Sequence, residues 1–96
     1  MTIDVYPAKL NGNTVDHADD WNDDSTMNMA NGNFYSFFSE LLGQQNVPGS
    51  PGMWKTKFIA DALRMNTKSL PSHYVSKLTR IVAQAEILKA EYIAYA

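Results

Sequence analysis

The chain has no cysteine. Disulfides and thiolate-held metals are therefore excluded. No stretch approaches the roughly 18 consecutive apolar residues of a membrane span. The opening MTIDVYPAKL has neither the basic leader nor the apolar core of a secretory signal. These features set the expectation of a cytoplasmic protein without membrane contact. Glycine and proline are few, at five and four, and none sits in a phosphate-cradling loop or a Gly-x-Ser-x-Gly nucleophile turn. Repeats and low-complexity tracts are missing as well. No catalytic constellation stands out, so a non-enzymatic protein is expected, with no cofactor and no metal.

What remains suffices for one folded domain over residues 1–96. Apolar residues make up 45% of the chain, an ordinary share for a globular protein. The net charge of −2 hides a segregation. Residues 1–50 carry seven acids against the single base Lys9, and residues 51–96 carry seven bases against three acids. The plain reading is that the halves attract each other across the fold. The alternative is that one face steers a charged partner.

Residues 2–10 alternate as a strand, with Ile3, Val5 and Pro7 on one side and Asp4, Tyr6 and Ala8 on the other. Pro7 has no N–H, which predicts an edge strand or a strand end. Asn11-Gly12-Asn13 predicts a turn, and Thr14-Val15 a returning strand. Residues 25–30 read as a short strand that turns Met27 and Met29 inward. Asn33 then serves as the expected N-cap of a helix over residues 34–42. Phe34, Phe37, Phe38, Leu41 and Leu42 form its apolar face, and Gly43 stops it.

Ser50-Pro51 has the chemistry of a helix start, predicting a second helix over residues 51–65 with Trp54, Phe58, Ile59, Ala62 and Leu63 as its stripe. A third is expected over residues 72–90. The tail YIAYA could extend that helix, but its β-formers favour a closing strand beside residues 2–6. The expected fold is α+β: an antiparallel sheet of two to four short strands packed against three helices.

Asn28, Asn31 and Asn33, followed by an apolar helix ending Leu41-Leu42-Gly43, resemble a pattern found in small uncharacterised bacterial proteins. In those, two short strands precede an Asn-x-x-Asn-x-Asn turn and an apolar helix closed by Leu-Gly, and a long helix leads to a short aromatic strand. The likeness covers about a third of this chain. The gap between the last Asn and the Gly is slightly longer here. The resemblance implies a fold and no activity, and gives Asn31 and Asn33 a structural role.

The densest polar feature is the run Asp16, Asp19, Asp20, Asp23 and Asp24 around Trp21, with His17 inside it. Its oxygens suit a hard cation. In an EF-hand register from Asp20, however, Ser25 replaces the central glycine and Asn31 the bidentate glutamate. A solvated loop is the plain reading. The functional one is a protein-contact loop, with Trp21 as anchor and the aspartates facing Lys or Arg of a partner. Closely spaced carboxylates also imitate nucleic-acid phosphates. A cysteine-free, acidic domain of this size matches in style the phage and mobile-element inhibitors of host machines, anti-CRISPR proteins among them.

The expected partner is thus a protein with a basic surface, bound by a monomer or homodimer. The alternative is a small DNA-binding regulator that uses the helices around residues 51–90, with Lys68, Lys77 and Arg80 on the nucleic acid. The acidic balance of the chain counts against direct nucleic-acid binding. The Phe/Tyr cluster of residues 34–38 and the methionines read as core.

Overall fold

The computed structural model describes residues 1–18, 25–47 and 49–96. The order is β1 (Thr2–Asn11), β2 (Thr14–His17), β3 (Met27–Ala30), α1 (Asn31–Leu42), β4 (Gly52–Lys55), α2 (Thr56–Met65), α3 (Ser72–Ile87) and β5 (Tyr92–Tyr95). The fold is α+β. The described residues form a five-stranded antiparallel sheet in the order β2-β1-β5-β4, with β3 also on β1. No helix among the described residues is long and apolar enough to cross a membrane.

Pro7 does not mark an edge. β1 is the central strand, paired with β5 on one side and with β3 and β2 in succession on the other. Asp4 exchanges both backbone bonds with Ala96, at 2.8 and 3.0 Å. Even-numbered residues of β1 therefore bond toward β5, and odd-numbered ones toward β3 and β2. Pro7 accepts from Ala18 N–H at 3.0 Å and has no N–H to return. Its missing donor faces the place where β2 ends and β3 has not begun, so the proline costs the sheet little.

The three helices cover the face that carries Ile3, Val5, Met27, Met29, Trp54, Ile93 and Tyr95. Phe34, Phe38 and Leu41 of α1, Ile59 of α2, and Leu78 and Ile81 of α3 are fully enclosed there. Burying such side chains stabilises by roughly 1.5–3 kcal/mol each. The opposite face carries a smaller cluster of Tyr6, Ala8 and Ala94 against Met53 and Tyr92.

Two predicted helix starts are displaced. α1 begins at Asn31 with no side-chain cap, because β3 runs into it directly and Asn31 N–H is taken by Met1 O at 3.2 Å. Asn33 lies inside the helix and donates from its amide to the Tyr74 hydroxyl at 3.1 Å. Gly43 ends α1 as expected, at φ 90° with its N–H on Ser39 O. α2 begins at Thr56, and the residues just after Pro51 form β4 instead. Pairing with β5 outweighs the helical stripe, since it places Trp54 against Phe38 at 4.8 Å and Tyr95 at 4.3 Å between ring centres. The indole N–H donates to Asn46 O at 2.8 Å. Phe58, expected inside, is 41% exposed. The tail is the closing strand, with Val5 opposite Tyr95 and Ala8 opposite Tyr92.

β4 approaches β5 closely only because residue 52 has no side chain. A Cβ on Gly52 would lie 2.5 Å from Tyr95 Cζ. Gly52→Ala should therefore lower stability by about 2 kcal/mol, read from the urea midpoint. Lys89 presents the opposite case. It closes α3 at φ 57°, a left-handed position usually filled by glycine, with Ala90 N–H on Ala85 O at 2.8 Å. Lys89→Gly should raise stability by about 1 kcal/mol in the same measurement.

Candidate functional site

The acidic segment begins where β2 stops. Asp16 is exposed and pairs across the ladder with Lys9. The His17 ring stacks on Tyr6, with centroids 3.9 Å apart and planes at 11°. Ala18 is held to Pro7 O. On the return side Ser25 is 1% exposed, and Met27 pairs with Val5. Asp19, Asp20, Trp21, Asp23 and Asp24 lie outside the described residues. On one side of β1, Ala18 lies opposite Pro7 and Met27 opposite Val5, positions about 7 Å apart along an extended strand.

The opposite charge is more dispersed. Lys68 and Arg80 are exposed, one in the turn after α2 and the other on α3. Lys77, one turn before Arg80, is half-buried. Six residues, Asn66 to Pro71, separate α2 from α3. That is longer than the three- or four-residue turn of a helix-turn-helix. Leu70 packs into the core from this linker, and Asn66 donates to Leu41 O at 3.0 Å. On α2, Asp61 pairs with Lys57 at 3.1 Å and Arg64 at 3.5 Å, so part of the basic half neutralises itself.

One grouping was invisible in sequence. Lys9, the lone base of the acidic half, comes to the end of the sheet where Lys89 and Lys55 also lie. Lys9 and Lys89 line one recess with Leu10, Glu91 and Tyr92. The Lys55 ammonium stands 5.1 Å from the centre of the Tyr92 ring. The register that places Ala8 opposite Tyr92 and Lys55 opposite Tyr92 brings these residues together. Only knowledge of the β1-β5-β4 order reveals it.

Other titratable groups serve the fold. His73 is exposed in the first turn of α3, its ring 4.0 Å from Tyr74. Among the described residues no group of three or more His, Cys, Asp or Glu is placed to hold a metal ion. Burial raises the Tyr6 phenol above its ordinary range, and the Asp4 carboxylate adds to the effect. Burial likewise raises Tyr95, with Tyr35 adding to it. A phenol whose folded pKa exceeds its unfolded value of about 10 favours the fold below that pH. The advantage disappears as pH climbs through the folded pKa. Stability should accordingly fall above about pH 10, and Tyr95→Phe should lessen the fall, as followed by urea denaturation across pH 8–11.

Comparison of the chain with protein-family models, with curated proteins and with solved structures finds no significant match to any of them.

Proposed function

We propose that the chain is a non-enzymatic protein-interaction module whose acidic, Trp21-centred segment docks on a basic, nucleic-acid-binding partner. More narrowly, it is an inhibitor of the kind phages and mobile elements carry, anti-CRISPR-like in its action. The observation behind this reading is that the described residues on either side of the acidic segment are held against β1. Ala18 is bonded to Pro7 of β1, and Met27, two residues beyond the buried Ser25, pairs with Val5 of the same strand. Between these two points the sequence carries four aspartates and a tryptophan, the residue types that recognise a basic surface. Exposed Asp16 extends the acidic tract at its base. Carboxylates at this spacing compete with phosphates for Lys and Arg, and tryptophan supplies the desolvated anchor that most interfaces need.

The alternative, a small DNA-binding regulator, would use exposed Lys68 and Arg80 with Lys77 between them. The two readings separate by charge reversal. The wild-type chain is first used to capture partners from a host lysate, with nuclease, at low and high salt. Binding to each recovered protein is then measured with variants. Replacing Asp19, Asp20, Asp23 and Asp24 by Lys should weaken binding at least about a hundredfold, since each contact becomes a repulsion. Lys68→Glu with Arg80→Glu should leave it unchanged. Retained affinity in the aspartate variant excludes the acidic-segment reading. Loss of all partners on nuclease treatment, with sensitivity to Lys68 and Arg80, supports the regulator.

A further inference from the structure

We infer that the end of the sheet formed by Lys9, Lys89 and Tyr92 is a binding site for a phosphate group. The inference is independent of the acidic segment and of the function proposed for it.

The recess measures about 270 Å³. That is just below the 300–1,000 Å³ of typical organic-ligand pockets, and suits a small anion or one group of a larger ligand. Two lysines, Lys9 and Lys89, line it together with one acid, Glu91. Lys55 stands beside it, over the Tyr92 ring. The local charge stays positive with Glu91 and with Asp16, which stands opposite Lys9 in the ladder, both included. Lys9, Lys55 and Lys89 have no ion pair among the described residues, in contrast to Lys57 and Arg64, which share Asp61. A phosphate monoester carries close to two negative charges at neutral pH and matches this set. A single carboxylate gains less against the opposing Glu91.

The rim is built, not loose. Thr56, 7% exposed, donates its hydroxyl to Ala90 O at 2.8 Å and its N–H to Glu91 O at 2.8 Å. Lys89 N–H donates to Glu86 O at 3.2 Å and Ala90 N–H to Ala85 O. These bonds clamp the turn that carries Lys89 and Glu91 between α2 and α3. Tyr92 is fixed by its place in β5, between Ala8 and Lys55.

The residue choice at position 89 points the same way. Its φ of 57° belongs to the left-handed region, where a side chain costs stability and glycine does not. A lysine is held there in a strained conformation, lining a recess already lined by another lysine. Strain of this kind is found where a side chain is needed for something other than the fold.

The test is a titration of the intact chain, followed by amide chemical shifts. The probes are inorganic phosphate, pyrophosphate and a short single-stranded thymidine oligonucleotide. Pyrophosphate should give saturable shifts at Lys9, Lys89, Glu91 and Tyr92. Lys89→Gly is the decisive variant, because it removes the ammonium while relieving the backbone. It should weaken binding about fivefold in a chain at least as stable as the wild type. Lys9→Gln should weaken it by a similar factor, and Glu91→Gln should tighten it.

If the oligonucleotide shifts the same amides and binds more tightly than pyrophosphate, the phosphate belongs to a nucleic-acid backbone. If it binds no better, the ligand is a free phosphate compound. Either result supports the site. No saturable shift with any probe overturns it, as does Lys89→Gly binding pyrophosphate as tightly as the wild type. Shifts centred on Lys77 and Arg80 overturn it as well.

Discussion

A single missing hydrogen-bond donor organises this sheet. Pro7 stands in the middle of the central strand, where a proline ordinarily ends a ladder. It is accommodated because its empty side faces the junction between two partner strands. β3 pairs with β1 up to Val5, and β2 from Ala8 onward. Between them the Pro7 carbonyl takes one bond from Ala18 and can return none. β2 ends at His17 and β3 begins at Met27, on either side of this point. On the other side of β1 no donor is missing, and β5 pairs with it without interruption.

Around this strand the core is layered by aromatic contacts. Phe34 and Phe38 of α1 meet Trp54 of β4 and Tyr95 of β5, with ring centres 4.3 to 6.2 Å apart across the group. The separations lie within the range of favourable offset and edge contacts. They join one helix to the two strands farthest from the acidic segment. The sheet's two edges therefore have different characters. The β4 edge is locked by packing, and the β2/β3 side is locked by register and carries the exposed carboxylate of Asp16.

Much of this fold was legible in the sequence. The alternation in β1, the turn at Gly12, the inward Met27 and Met29, the face of α1 and its stop at Gly43 all follow from local chemistry. So does the closing strand at Tyr92–Tyr95. The misreadings share one cause. Ser50-Pro51 and Asn33 are good local signals for a helix start. In each case a long-range partner outweighed them: β5 captured Gly52–Lys55, and the Tyr74 hydroxyl captured Asn33. Pro7 was misread for the same reason, since a strand's neighbours cannot be counted from its own residues. Of the candidate acidic site, composition gave the residue types, and the fold supplied only the attachment of Ala18 and Met27 to β1. The lysine recess was not legible at all. Its members lie far apart in the chain and meet only through strand order.

The position of β5 also bears on how the chain reaches this fold. β5 lies between β1 and β4, so the fifth of the described strands is the one that joins the first to the fourth. Until residues 92–95 leave the ribosome, β4 has no neighbour to pair with, and Trp54 and Phe38 have only part of their enclosure. A β1–β2 hairpin and the α2–α3 pair can form early from local contacts. The central ladder must wait for closure across nearly the whole chain, the kind of long-range step that slows folding. Before β5 docks, the aromatic core stands open, and that intermediate is the one most exposed to association with other chains.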